Sequence, residues 1–259
     1  INHTMDDPAC PVNSRYAEDI RRWEAAKNGG EINIYEYYMG VNFYLSLPMI
    51  HFHEMFHEMN WYAEHHADGI LTQFHLPHWT VYGMNYVLMA SAARGEKEQD
   101  AIPALFAALF GKDAPEAGRF YHRIKELLLN MGRCHIPYPY SLFRRTCLKD
   151  YQELYGMAQQ LAAKAPADRF RSELVLWTEY LIRFKTLFDQ YHAGQLTETD
   201  LDAFLDWIHA HRDSRVFVQE RFDMYFQALR ECLRTGKPWI HFNLDWEDAY
   251  ILRQEKTVY

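Results

Sequence analysis

Apolar and polar positions divide the chain into two parts with different periods. In the first part, short apolar runs rich in β-formers alternate with longer stretches whose apolar residues recur three and four positions apart. Residues 31–38 (EINIYEYY) and 69–75 (GILTQFH) predict strands, because β-branched and aromatic side chains suit a pleated surface. Ile1-Asn2-His3 predicts the end of an earlier strand. Helices are predicted over 15–27, where Tyr16, Ile20 and Trp23 share helical spacing, over 49–66, and from beyond Trp79 to Gly95. Asn28-Gly29-Gly30 predicts the stop of the first helix. Strands separated by full-length helices, with starts roughly 30 to 40 residues apart, predict βαβ units in a parallel sheet, as in a TIM barrel or a doubly wound fold.

From about residue 100 the period is helical. Helices are predicted over 104–110, 119–131, 151–163, 170–191, 200–210 and 219–233, with Thr197-Glu198-Thr199-Asp200 as a capping signal before one of them. Only 239–244 (WIHFNL) alternates like a late strand. The expected fold class is therefore α/β: residues 1–95 are the C-terminal strand–helix units of a (β/α)8 TIM-type barrel, and residues 96–259 are an all-α region. Two or three parallel strands cannot close a barrel, and an open parallel edge invites aggregation. The expectation is that the chain opens inside a structural element and that an N-terminal half of the same barrel completes it.

Composition changes this picture little. Hydrophobic residues make up 49% and charged residues 24%, ordinary values for a folded domain. The formal charge of −8 speaks against nucleic acid and anionic membranes as partners, since phosphate contacts need clustered Lys and Arg. No apolar run reaches membrane-spanning length, and the first residues carry neither the basic nor the apolar region of a signal peptide. Cys10, Cys134, Cys147 and Cys232 form no CxxC pair. The 18 Tyr and 7 Trp fill cores or, on loops, offer flat surfaces to sugars. The helical-region aromatics Phe184, Phe188 and Tyr191 read most simply as core.

Four clusters carry candidate chemistry. His53-Glu54-Met55-Phe56-His57 matches HExxH, which on a helix sets two imidazoles and a general base around zinc. No third ligand follows at the usual spacing, the charged Glu58 comes directly after His57, and Met49, Phe52, Phe56, Met59 and Ala63 already define a core stripe. His53 and His57 are thus a secondary zinc-hydrolase reading, and the main expectation is a helix covering a barrel, with no cofactor and no metal. Glu36, near a strand's C-terminal end among Tyr35, Tyr37 and Tyr38, is the candidate catalytic acid, because barrel active sites form at that end. Its other reading is a structural Glu hydrogen-bonded at the strand end. His3, Asp6 and Asp7 could hold sugar hydroxyls, while Asp7-Pro8 also reads as a turn initiator. Gln73, His75, His78 and Trp79 suit a carbohydrate subsite with Trp79 stacked on a pyranose; alternatively Trp79 plugs the barrel mouth. Phe43 and Tyr44 share that ambiguity. No GxSxG, phosphate-binding loop, dinucleotide fingerprint or Cys–His pairing is present.

The runs Asp7-Pro8-Ala9-Cys10-Pro11-Val12-Asn13, Ile34-Tyr35-Glu36-Tyr37-Tyr38 and Asp68-Gly69-Ile70-Leu71-Thr72-Gln73, continued at 106–111 and 118–127, resemble the domain of unknown function 4838. These are glycosidase-like bacterial proteins related at fold level to α-glucuronidases and β-hexosaminidases. The resemblance covers about half the chain. It implies a (β/α)8 barrel whose final strands are present here, a helical domain after it, and a sugar-binding face at the strands' C-terminal ends. It also implies that the acidic pair of the related glycosidases belongs to a stretch preceding this one. The expected function is a glycoside hydrolase-like protein with a carbohydrate as substrate or ligand; the alternative is a non-catalytic carbohydrate-binding protein on a degenerate barrel.

Overall fold

A computed structural model of the chain describes residues 3–36, 38, 45–73, 78–129 and 139–243. These residues are mostly helical, with a two-stranded parallel sheet. Helix α1 (Pro11–Ala26) leads to β1 (Asn33–Glu36), α2 (Phe52–Glu64), β2 (Gly69–Thr72) and α3 (Trp79–Ala93). Then come α4 (Glu98–Phe110), a 3-10 turn (Gly111–Asp113), α5 (Ala114–Leu129), the short α6 (Pro139–Phe143), α7 (Leu148–Ala163), α8 (Arg169–His192), α9 (Glu198–Ala210), α10 (Gln219–Thr235) and α11 (Ile240–Asn243). The expected strand–helix–strand unit is present: Asn33 pairs with Gly69 and Glu36 with Thr72, in parallel register across α2. Asp68 sets that register at its start. Its backbone N–H donates to the Ile32 carbonyl (2.8 Å), while its carboxylate accepts from the Ile32 N–H (2.8 Å) and from Lys27 (3.3 Å).

Several predicted boundaries move. Within the predicted strand 239–244 the described residues are helical over Ile240–Asn243, with Trp239 and Phe242 both buried, and Leu244 is outside the described residues. Trp239 and Phe242, three apart, face the core while Ile240 is 51% exposed, a helical spacing that the alternation of residue types conceals. His3 lies in a bend, not a strand; Ile1 and Asn2 are outside the described residues, as are Tyr37, Phe43, Tyr44, His75 and Cys134. In α1 the buried residues are Ala17 and Ile20, and Trp23 is 57% exposed. Trp79, expected in a loop, opens α3.

Local chemistry explains the helix ends. Asp168 caps α8 by accepting from the N–H groups of Phe170 (2.9 Å) and Arg171 (3.4 Å). Thr197 and Asp200 form the predicted capping box of α9, and α10 ends at Gly236 in the left-handed region. The central α8 packs most extensively on α7. Its Tyr180 and Phe184 meet Phe143, Phe217, Phe222, Phe226 and Phe242 as tilted or edge-on rings, and Phe184 stacks on Phe204, so much of the aromatic content is core packing.

The apolar core runs without a break from Met5 to Phe242, across residue 95. The segment between β1 and α2 joins the two halves. Leu45, Leu47, Met49 and Ile50 are buried, and Leu45 and Ser46 have positive φ (45° and 55°). That strain is held from α8 and beyond: Tyr180 Oη donates to the Leu45 carbonyl, Trp177 Nε1 to the Ser46 carbonyl (2.8 Å), and Ser46 Oγ to the Val216 carbonyl (2.5 Å). Glu173 clamps a second junction. Its carboxylate accepts from Thr80 Oγ1 on α3 (2.5 Å), from the Arg215 backbone (3.2 Å) and side chain (2.9 Å), and from Arg169 (2.8 Å). Glu173→Gln keeps the volume but removes the charge and sets an amide donor in place of one oxygen that accepts from Thr80, Arg169 or Arg215. A loss of about 1–3 kcal/mol in a urea melt is expected; an unchanged midpoint would show the clamp to be ornamental.

Candidate functional site

The site grows from the end of β1. Ile34 and Glu36 share one strand face, the one turned to α2, by the period-two alternation of strand side chains. On α2, Glu58 and Tyr62 are one turn apart and face the same space. The result is a chain of four polar side chains. Tyr62 Oη donates to Glu36, Tyr38 Oη donates to Glu58, and the two tyrosine hydroxyls lie in hydrogen-bonding reach of each other. His51 lays its ring against Tyr38, with centroids 5.9 Å apart.

The electrostatics of this cluster are uneven. Glu58 is 8% exposed, and burial together with the charge of nearby Glu36 pushes its carboxyl up to about 8. At neutral pH it holds its proton. Burial, reinforced by Glu58 and Glu36, drives the Tyr38 phenol far above its ordinary value and raises Tyr62 likewise, so both remain donors. Burial lowers His51 well below the usual imidazole value, so it is neutral. A buried carboxyl that holds its proton, close to a second carboxyl that accepts from a tyrosine, can divide with it the labour of an acid and a base.

The other expected residues fall in separate places. Asp7 holds the turn before α1: its carboxylate accepts from the Ala9 N–H (2.8 Å) and pairs with His3. Asp6 bonds Thr4 (2.8 Å) and reaches across to His57 Nε2 (2.8 Å). Tyr35 is on the opposite strand face from Glu36 and is 52% exposed. The Gln73 carbonyl accepts from Tyr86 Oη (3.1 Å). The Trp79 indole lies parallel to the Tyr86 ring (4°, centroids 6.1 Å) and closely over Gly83, where a Cβ would meet it at 2.9 Å. His78 is buried edge-on to Tyr82 rather than at a rim.

The HExxH residues point three ways. His53 Nδ1 pairs with Glu98 on α4, His57 with Asp6, and Glu54 with Lys125 on α5. A general base tied to an ammonium is a poor acceptor for a water proton. Among the described residues no group of three or more His, Cys, Asp and Glu side chains is arranged to hold a metal.

Sequence reasoning missed Glu58 and Tyr62. The signal was available: both fall on the buried side of α2 with Met55 and Met59, and a glutamate inside an apolar stripe needs a polar partner. The expected stripe is buried at Met49, Phe52, Phe56 and Met59, whereas its last member, Ala63, is exposed. No family model matches the chain, and no curated protein and no solved structure matches it at a significant level.

Proposed function

We propose that this chain belongs to a glycoside hydrolase-like protein of the domain of unknown function 4838 type, acting on a carbohydrate at the C-terminal end of a (β/α)8 barrel. The observation that carries the reading is the pair Glu36 and Glu58 at the end of β1, one holding a proton at neutral pH and the other accepting from a tyrosine. Cleavage of a glycosidic bond needs such a division, an acid for the leaving oxygen and a base or nucleophile on the other side. Glu58 takes the first role and Glu36 the second, in place of the preceding acidic pair that the resemblance implies, with Tyr38 and Tyr62 as the hydroxyls bonded to them. The barrel part is supported by the uncovered sheet face. Tyr35 and Leu71 are cross-strand partners, 52% and 62% exposed, whereas parallel sheets bury both faces. In a barrel that face is the filled interior, and the partner that fills it is the remaining strand–helix units of the same barrel.

The test is turnover of a panel of 4-nitrophenyl glycosides by the intact protein. Glu36→Gln is expected to lower kcat by about 10²–10⁴-fold with little change in melting temperature. Wild-type turnover in that variant would sink the assignment. One observation favours the alternative of a non-catalytic carbohydrate-binding barrel: Glu36 shares its strand face with buried Ile34, toward the helix layer, and Glu58 is itself buried. On that reading calorimetry detects saccharide binding while the product assay stays blank.

A further inference from the structure

Away from the Glu36 cluster, α2, α4 and α5 enclose a cleft of about 410 Å³, large enough for a small organic molecule. Its walls are mainly apolar, with Phe52 from α2, Ile102 and Phe106 from α4 and Tyr121 from α5, and Lys125, paired with Glu54, is the one ammonium among the described residues of the lining. The rings are packed against one another, Phe106 edge-on to both Phe52 (6.2 Å) and Tyr121 (5.5 Å), so the wall is rigid rather than collapsed into the space. His53 and His122 stand at the mouth, with side chains 70% and 75% exposed.

The helices bordering this space carry residues that their own stability does not favour. Gly118 sits inside α5 with ordinary helical backbone, and a Cβ built on it meets no atom within 4 Å. Alanine there would strengthen the helix by about 1 kcal/mol, so neither backbone conformation nor crowding accounts for glycine. Pro103 lies inside α4, where it deletes a backbone hydrogen bond, and it lines the same cleft. Two weakened helices facing one hollow are what results when space is kept at the expense of stability. The wall also contains a cost of its own: the Tyr121 hydroxyl is buried without a hydrogen-bond partner among the described residues.

The mouth tells what kind of molecule would enter. His53 Nδ1 is held by Glu98, and His122 Nε2 lies 3.4 Å from Glu126. A carboxylate on one ring nitrogen places the proton there and, in the neutral imidazole, leaves the opposite nitrogen as an acceptor. A ligand with a flat apolar body and one hydroxyl donor complements both parts. We infer that this cleft is a binding site for small aromatic hydroxy compounds, with the ring against Phe52, Phe106 and Tyr121 and the hydroxyl donating to an imidazole at the mouth.

The probe is 2-naphthol, titrated calorimetrically into the full chain, with 2-methoxynaphthalene as the partner lacking the donor. Wild type is expected to bind 2-naphthol saturably at one site below about 1 mM and the methyl ether more weakly. Gly118→Leu should fill the space, weakening 2-naphthol by at least roughly tenfold while the melting temperature holds or rises. Absence of saturable binding, or wild-type affinity in a folded Gly118→Leu protein, overturns the inference. Should Gly118→Leu not fold, the double variant His53→Ala, His122→Ala decides, because these exposed side chains leave the core intact. Loss of the preference for naphthol over its ether supports the site, and an unchanged preference overturns it.

Discussion

Trp177→Ala is expected to lower the unfolding free energy by about 4 kcal/mol or more, the largest single effect of any side chain considered. Trp177 is fully buried in α8, and truncating a buried aromatic ring leaves a cavity that costs about 3–5 kcal/mol. Its indole N–H is also a holder of the strained turn, donating to the Ser46 carbonyl at 2.8 Å. Left-handed backbone at non-glycine residues costs on the order of 1–3 kcal/mol each, and both Leu45 and Ser46 adopt it. The turn persists because Tyr180, Trp177 and the Val216 carbonyl over-determine it. Trp177→Phe separates the two contributions, since it keeps most of the packing and removes only the donor. That variant is expected to lose about 1–3 kcal/mol, the range for an orphaned buried acceptor. Guanidinium melts of both variants check the ordering. A Trp177→Ala protein as stable as Trp177→Phe would mean that the ring does not fill the junction between the sheet unit and the helices.

The second large effect is a pH dependence assigned to Glu58. Its carboxyl is pushed from the ordinary 4.5 to about 8 in the folded chain, chiefly by burial and then by Glu36. The folded state therefore keeps a proton that the unfolded state releases. Stability from this group is fully present below pH 4.5 and is lost as pH rises through the window up to about 8. Each unit of separation corresponds to about 1.4 kcal/mol, so the fall across the window from 4.5 to about 8 has an upper bound of about 5 kcal/mol. Glu58→Gln cannot ionise, and its stability should be nearly flat over the same range, crossing above wild type on the alkaline side. Chemical denaturation at several pH values distinguishes the two profiles. Parallel curves for wild type and Glu58→Gln would assign the dependence elsewhere. The same proton underlies the proposed acid role, so a flat wild-type profile would also remove the ground for casting Glu58 as the donor.

Much of the helical architecture was legible in order along the chain. Apolar spacing located α7, α8, α9 and α10 to within a few residues, because each buries one stripe against a neighbour and the period of that stripe is local information. The parallel pair β1 and β2 and the capping box at Thr197 and Asp200 were equally local. Failures came where tertiary contacts overrode the local pattern. Residues 239–244 alternate like a strand, but Ile240–Asn243 is helical, with Trp239 and Phe242 packed against Tyr191, Phe226 and Phe184. Leu45–Leu47, which fall in the loop before the helix predicted from Met49, are core, because their polar backbone is satisfied by α8, well over a hundred positions away in the chain.

The candidate site divides in the same way. Glu36 and Tyr38 could be singled out from a strand end, since β periodicity puts positions two apart on one face. That Glu58 and Tyr62 complete the cluster, that Asp6 turns to His57 rather than to a sugar-sized space, and that the HExxH side chains diverge were decided only by tertiary structure. Such choices depend on which faces of β1, α1 and α2 meet, and hence on the desolvation each carboxylate suffers once packed. Residue type and spacing set what each segment can do; the dielectric and the partners that fix a proton on Glu58 exist only after the chain has closed around it.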